Sequence, residues 1–381
     1  MPELAALARK VRRAAEGATG ARDAWLDASL VLADAMWRAD EGPHARAVDD
    51  DLISRSLSAD DRMRVLCGRV RRSDPDEADQ VDLWLAEAKG LLAKVRTPRR
   101  ADYHATRAWI CASRLDVDGA LAEVLDALSC RPDPVVGCRA RLLRARLLSS
   151  IDPMVAWHEA LRVVETARDY GFLRYQVLAW GLAADSMVFL GRSEEAIERL
   201  QSGVQRLVAH GEVLAARSAQ LHLGMALMAA GRDSSARDTW ENALGREYRA
   251  HPSTVLGPRA CLALLGALRG EDRRVMELLP KDPPADLPTR AAWGLLLPIA
   301  ELRAGITAVH LPDARLLRQS VSLGMPGLFA TLALISEMRK ANRRTQATSM
   351  ERVFTLECGR LGVDPEEARP WLERARRSRR S

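Results

Sequence analysis

Histidines and clustered carboxylates are the side chains from which this chain of 381 residues would build an acid–base or metal site. The closest histidine–carboxylate pair is His158 and Glu159. Adjacent residues on a helix point about 100° apart, so we expect a surface histidine here rather than a catalytic one. Asp49–Asp51 has the composition of a metal cluster. Carboxylates also favour the positive end of a helix, and we expect this run to open the helix that contains Leu52.

Cysteine thiols are the remaining candidates for nucleophilic or metal chemistry. The six cysteines are spread along the chain without the spacing of a disulfide framework. Cys130 and Cys138 are the closest two, and they are further apart than the gap of two to four residues that zinc sites favour. We therefore expect reduced, buried and unreactive thiols.

Motifs that bind phosphate, nucleotides or catalytic zinc are also missing from the sequence. It contains no GxxxxGK[ST] loop, no GxGxxG after a strand, no HExxH and no GxSxG. The sequence therefore predicts no catalytic residue, no metal site and no cofactor, and we expect a protein that is not an enzyme.

Composition predicts an all-helical chain. Hydrophobic residues make up 48% of it and aromatic residues only 4%, and the apolar residues are mostly Ala and Leu, which are strong helix formers. Alternating β-branched runs, which indicate strands, are hard to find. A chain of this length is more than one small core usually organises, so we expect several domains or a solenoid.

Charge argues against a nucleic-acid partner. The formal net charge is +6, and four of those charges lie in the arginine-rich tail Glu373–Ser381. The rest of the chain is too nearly neutral for a broad basic face. Nucleic-acid binding is therefore unlikely except through the tail, which we expect to be a solvated terminus. No apolar segment is long enough to cross a membrane, and we expect a cytoplasmic protein.

A glycine rhythm is the strongest pattern in the sequence. Gly171, Gly191, Gly211 and Gly231 recur every 20 residues, with apolar residues at helical spacing between them. Glycine just past a helix end adopts the left-handed C′ conformation. Each unit therefore predicts a helix of about 17 residues and a tight turn, and turns this short make consecutive helices antiparallel.

Two such helices form a repeat of about 40 residues. Corresponding positions 40 residues apart are Trp180, Gly191, Ala196, Leu200 and Gly203 in the first copy, and Gln220, Gly231, Ala236, Trp240 and Ala243 in the second. Small residues at these positions allow helices to cross closely, while large residues fill the gaps between crossings.

This pattern resembles the tetratricopeptide repeat, which has Trp early in helix A, Gly at the turn, and Ala, an aromatic residue and Ala along helix B. The resemblance is best over 173–250 and fainter over 101–132 and 255–280. A 40-residue period exceeds the usual 34 and is similar to long-repeat bacterial members; another α-solenoid family remains an alternative. The resemblance implies an all-α, right-handed superhelical solenoid of antiparallel helix pairs.

Extending the rhythm along the chain predicts the positions of the other pairs. They are expected at 22–57, 61–95, 101–130, 135–170, 173–210, 213–250, 255–280, 288–322 and 326–361, with a last helix at 365–377. Prolines cannot continue a helix, so the proline-rich segment 280–288 predicts a linker or hinge. We therefore expect an N-terminal helical-repeat arm at 1–279, C-terminal helical pairs at 289–377 and a basic tail end at 378–381.

The resemblance also implies where a partner would bind. Helix A lines the concave wall of such a superhelix, and the matching positions are Asp102, Trp109, Asp185, Val188, Leu221, Met225 and Met228. Methionine adapts to a partner helix or peptide, although these methionines could equally fill the stack beneath neighbouring helices. The set of Lys, Asn and Arg with which one subclass clamps a C-terminal carboxylate is missing, which disfavours chaperone-tail binding.

Three functions follow as hypotheses. The first is a non-enzymatic scaffold or regulatory protein that binds a protein or peptide partner in its concave groove. The second is a sensor module that binds a small molecule or a signalling peptide to control a regulator. The third is an accessory subunit of a cofactor-free enzyme, or such an enzyme itself, which would require a convergent acid–base set.

Overall fold

The computed structural model describes residues 2–16, 22–74, 77–148, 151–189, 192–244, 252–279, 287–306, 309, 311–314, 316–317 and 325–361. These residues hold eighteen α-helices and no strand. In chain order the helices are α1 (Pro2–Glu16), α2 (Arg22–Arg38), α3 (Gly42–Ile53), α4 (Ala59–Arg71), α5 (Ala78–Leu91), α6 (Thr97–Ser113), α7 (Val117–Ser129), α8 (Pro134–Leu148), α9 (Pro153–Asp169), α10 (Leu173–Phe189), α11 (Ser193–Ala209), α12 (Val213–Ala229), α13 (Asp233–Leu244), α14 (Pro252–Arg269), α15 (Asp272–Leu278), α16 (Leu287–Arg303), α17 (Met325–Lys340) and α18 (Arg344–Leu361). The prediction of an all-α chain is confirmed.

The helices pair as the rhythm predicts. Helices α2 to α15 form seven consecutive A–B pairs, in which the even-numbered helix is A and the odd-numbered helix is B. Helix α16 opens the eighth pair, and α17 and α18 form the ninth. The expected helix at 365–377 and the basic tail lie outside the described residues.

Helix length and turn geometry agree with the glycine rhythm. Helices α9 to α12 each span 17 residues. Gly171, Gly211 and Gly231 follow helix ends with φ of 69°, 69° and 77°, the left-handed region in which a Cβ atom costs energy. Gly191 lies outside the described residues. The predicted combination of a 17-residue helix and a glycine turn is therefore confirmed at these three positions.

Short polar side chains begin several of the helices. Ser58 Oγ accepts a hydrogen bond from the Asp61 N–H at 3.2 Å, and Asp116 Oδ1 accepts one from the Gly119 N–H at 3.0 Å. These bonds satisfy N–H groups that have no partner within their own helix.

The three aspartates at 49–51 do not open a helix, and that expectation is corrected. Helix α3 begins at Gly42, so the aspartates lie in its last turns. Asp49 is fully buried and forms two hydrogen bonds with Arg72, while Asp50 and Asp51 pair with other arginines. Ion pairs with arginines of other segments, rather than the helix dipole, therefore determine where these carboxylates lie.

The A helices form one continuous layer. From α4 to α14, each A helix contacts the next A helix along the chain as well as its own B partner. Helix α2, the first A helix, also contacts α12, the A helix of the sixth pair. A layer whose first and sixth members touch must curve towards itself. The A helices therefore line the inner side of the superhelix.

The largest hydrophobic cluster extends from Ala184 in α10 to Cys358 in α18. Helices α14 and α15 contact α16 within it, on either side of the segment 280–288. Leu287 and Pro288 already belong to α16, and the rest of the segment lies outside the described residues. The domain boundary stays a prediction.

Three cysteine thiols lie in these cores. Burial raises the pKa of Cys67 and of Cys261 to about 12, and that of Cys138 to about 11. A thiol, not a thiolate, is present at neutral pH at each position, which makes a nucleophilic role unfavourable. Among the described helices, none combines the length and the apolar character that a membrane crossing requires.

Candidate functional site

We define the inner wall as the inward face of the A helices α2, α4, α6, α8, α10 and α12. On α6 this face carries Arg99, Asp102, Thr106 and Trp109, whose spacing of three and four residues places them on one side of the helix. On α10 the corresponding residues are Arg174, Gly181, Asp185 and Val188, and on α12 they are Arg217, Leu221, Met225 and Met228. The wall therefore combines charged, aromatic and apolar groups.

Ion pairs join the two edges of the wall where α2 meets α12. Arg38 Nη1 donates a hydrogen bond to Glu212 Oε1 at 3.4 Å, and Arg217 donates to Asp40. Glu212 and Asp40 are largely buried. Residues more than 170 positions apart in the chain are thus in direct contact, which brings the first and sixth A helices together.

Three arginines act on Asp34, which lies on α2. Burial raises the pKa of Asp34, but the charges of Arg38, Arg174 and Arg72 outweigh burial and lower its pKa below the usual 3.8. Asp34 is therefore a carboxylate at neutral pH. Arg38 belongs to α2, Arg174 belongs to α10 and Arg72 follows α4. Cations from three parts of the chain therefore act on the Asp34 carboxylate.

Asp102 is a shared acceptor for two arginines. Its Oδ1 atom accepts hydrogen bonds from Arg71 Nη1 at 2.9 Å and from Arg139 Nη2 at 3.1 Å. Arg71 Nη1 also donates to Thr106 Oγ1 at 2.7 Å. Burial raises the pKa of Asp102, yet attraction to Arg71, Arg139 and Arg99 lowers it overall. The carboxylate thus links α4, α6 and α8.

Trp109 is the accessible aromatic residue of this part of the wall. Its side chain is 46% exposed, and the guanidinium carbon of Arg146 lies 5.9 Å from its ring centroid, within range of a cation–π contact. Arg146 also interacts electrostatically with Asp185. An exposed indole beside a cation offers both apolar and polar contacts to a ligand.

Asp185 is paired with His222 across α10 and α12. Its carboxylate oxygens lie 2.9 and 3.0 Å from His222 Nδ1, and both side chains are about one-fifth exposed. The imidazole lies against Gly181, where an added Cβ would lie 2.6 Å from His222 Cδ2. Gly181 is therefore required for this close approach.

The apolar members of the predicted set are less accessible. Val188, Met225 and Met228 are buried in the large core cluster, while Leu221 is partly buried beside it. The structure thus brings the predicted residues onto one wall, but leaves chiefly Trp109, Asp185 and Leu221 open to a ligand. The binding role of the whole set stays a prediction.

One potential metal cluster, which sequence spacing did not indicate, consists of His104, Glu123 and Asp126. His104 Nδ1 lies 2.8 Å from Glu123 Oε2, and Arg107 Nη1 lies 3.0 Å from Glu123 Oε1. The arginine neutralises the carboxylate that a cation would need. We therefore interpret this group as an ion-pair network between α6 and α7.

Comparison with known proteins identifies the fold of this chain. No protein-family model matches the sequence, and no curated protein does. A solved structure of a Rap protein complexed with competence and sporulation factor matches with a TM-score of 0.64 at 14% identity, over 88% of this chain and 98% of the Rap chain. The apo form of RapI matches with a TM-score of 0.46 at 10% identity, over 87% and 97%. This chain therefore has the tetratricopeptide-like helical-repeat fold seen in that complexed Rap protein.

Proposed function

We propose that this protein is a non-enzymatic regulatory scaffold that binds a peptide, or a segment of a partner protein, on its inner wall. The observation that carries the proposal is the wall itself. Its first and sixth A helices, α2 and α12, are in contact, and it carries the exposed Trp109, the partly exposed Asp185 and several arginines. Extended concave surfaces of this kind suit an extended ligand.

The shared fold supports a binding role. The Rap protein that matches over most of this chain was solved in complex with competence and sporulation factor. Fold alone does not define function, so the proposal for this chain depends on its own wall residues. Their mixture of aromatic and charged groups is typical of binding surfaces.

The chemistry of the described wall favours binding over catalysis. Asp34, Asp102 and Asp185 each interact with an arginine or a histidine. A general acid requires a carboxyl whose pKa is raised towards neutrality, whereas the pKa values of Asp34 and Asp102 are lowered. The wall carboxylates therefore serve as fixed charges.

Affinity selection with the full-length protein tests this proposal. We expect heptapeptides selected from a random library to remain bound in native mass spectrometry. The substitution Trp109→Ala should weaken the selected peptides about 30-fold, because truncating a central aromatic contact costs about 2 kcal/mol. Leu83→Ala is the matched control: Leu83 is 63% exposed on the outer helix α5, and its removal should leave affinity unchanged.

Two outcomes would contradict the proposal. Retention of a small molecule with no peptide binding would favour a small-molecule sensor. Turnover of a metabolite by the purified protein, again with no peptide bound, would favour an enzyme.

A further inference from the structure

Charges on the inner wall divide into two groups with different balances. The first group lies where α2 faces α10 and α12. It contains three cations, Arg38, Arg174 and Arg217, and three anions, Asp34, Asp40 and Glu212. The positive and negative charges in this group cancel, so it gives a ligand no net preference for either sign.

The second group lies where α4, α6 and α8 meet, and it is not balanced. Arg71, Arg99 and Arg139 all act on the Asp102 carboxylate, and Asp133 and, from the first group, Asp34 also attract Arg139. Asp60 attracts Arg99, but it already pairs with Arg96. With Asp34 counted in the first group, three cations face two carboxylates, which leaves an excess of one positive charge at a place where Asp102 is almost fully buried.

Repulsion within this second group is visible in the behaviour of Arg71. Burial lowers its pKa, and the nearby charge of Arg139 lowers it further, against the attraction of Asp102. The two guanidinium groups share one oxygen atom, Asp102 Oδ1. An additional anion at this position would relieve the repulsion.

Donor atoms in the same group lack acceptors. The Nε atoms of Arg99 and Arg139 are buried, and no hydrogen-bond acceptor lies near either of them among the described residues. A buried donor without an acceptor is unfavourable, because it has lost its hydrogen bonds to water. Arginine presents its N–H groups in a planar fork that matches a carboxylate. The unsatisfied donors therefore suit a carboxylate ligand.

Apolar surface lies next to this excess charge. Trp109 is on the same side of α6 as Arg99 and Asp102, about two turns beyond Asp102 and nearly three turns beyond Arg99. It is half-exposed and contacts Arg146. A ligand with a carboxylate at one position and an apolar side chain roughly 10–15 Å away would contact both features.

We propose that the inner wall selects an acidic peptide segment, with a carboxylate bound by Arg99 and Arg139 and an apolar side chain packed on Trp109. This inference rests on the proposed peptide-binding function. The carboxylate belongs either to an Asp or Glu side chain or to the C-terminus of the peptide; both present the same two oxygens to the arginines.

Three matched peptide pools test the inference with the full-length protein. Each pool consists of heptapeptides of identical apolar content that carry two Glu, two Gln or two Lys residues, made with either a free or an amidated C-terminus. We expect the Glu pool to be retained at least ten-fold more than the Gln pool, and the Lys pool least of all. Loss of binding on amidation would assign the carboxylate to the C-terminus, and retention would assign it to side chains.

Variants connect the preference to the residues named. Arg139→Gln should lower retention of the Glu pool about ten-fold, and Arg139→Lys should restore part of it, because lysine keeps the charge but not the fork. Arg273→Gln is the control, since Arg273 is 92% exposed on α15. Thermal unfolding of each variant confirms that it is folded.

The possible failures are distinguishable. Preferential retention of the Gln or Lys pool would overturn the acidic-ligand inference and leave the proposed function intact. An unchanged Glu preference in folded Arg139→Gln would also overturn it. Failure of every pool to bind would contradict the proposed function, and the inference with it.

Discussion

Replacing Trp240 with alanine should lower the free energy of unfolding by about 3–5 kcal/mol, the range for removing a large aromatic side chain from a packed core. Trp240 lies on α13 and is fully buried in the largest hydrophobic cluster. Its indole N–H donates a hydrogen bond to the Leu221 carbonyl at 3.2 Å. The substitution therefore removes a buried aromatic ring together with the hydrogen bond that its indole donates.

The indole of Trp240 packs directly against Gly224 on α12. A Cβ atom added at Gly224 would lie 2.1 Å from Trp240 Nε1. Gly224→Ala should thus also destabilise the protein, by displacing the ring. Urea-induced unfolding followed by circular dichroism measures both changes. The control is Trp109→Ala, a half-exposed tryptophan, and an equal loss of stability in the two tryptophan variants would contradict this account.

Replacing Asp49 with alanine should lower the free energy of unfolding by about 3–5 kcal/mol, because it breaks a buried ion pair. Asp49 accepts hydrogen bonds from Arg72 Nε at 2.7 Å and from Arg72 Nη2 at 2.6 Å, and the side chains are 0% and 6% exposed. Removing the carboxylate leaves a buried guanidinium without its counter-ion. That unpaired charge, rather than the loss of attraction, dominates the cost.

Two comparisons separate the unpaired charge from a general effect of mutation. Asp27→Ala breaks an ion pair with Arg64 in which the Asp27 side chain is 61% exposed. This substitution should lower the free energy of unfolding by less than about 1 kcal/mol. The double substitution of Asp49→Leu with Arg72→Met removes both charges and should recover much of the stability. A double variant as unstable as Asp49→Ala would contradict the explanation. Chemical denaturation at neutral pH provides the values.

The fold was predictable where turns use glycine. Gly171, Gly211 and Gly231 mark helix ends with positive φ, and the resemblance to tetratricopeptide repeats was strongest over the same part of the chain. Elsewhere non-glycine residues adopt the same backbone conformation after a helix: Asp40, Leu115, Arg131 and Asn342 have φ between 49° and 69°. A left-handed leucine leaves no signal in the sequence, because most residues avoid this region. Helical periodicity alone located the pairs at these positions.

The candidate site was only partly predictable. The repeat pattern selected Asp102, Trp109 and Asp185 because it predicts which face of helix A points inward. It did not show that Arg71 and Arg139 share the Asp102 carboxylate, since these residues lie 31 and 37 positions from it. Arginine is so abundant in this chain that no single one stands out in the sequence. Their convergence depends on how successive A helices pack.

For the two methionines, the sequence predicted the direction of the side chains but not their burial. Met225 and Met228 are on the inward side of α12, yet they are buried, at 5% and 6% exposure, beneath neighbouring helices. Sequence spacing gives the direction of a side chain from its own helix. It does not give the depth to which the next A helix covers it, which depends on the close packing of α10, α12 and α14.

Site-specific photocrosslinking tests the central claim, that a peptide ligand binds on the inner wall, most directly. Benzoylphenylalanine is introduced at position 109 on the wall or at position 83 on the outer helix α5, and each full-length protein is irradiated with its selected peptide. We expect capture of the peptide from position 109 and none from position 83. Capture from position 83 with none from position 109 would show that the ligand binds outside the superhelix and would contradict the account.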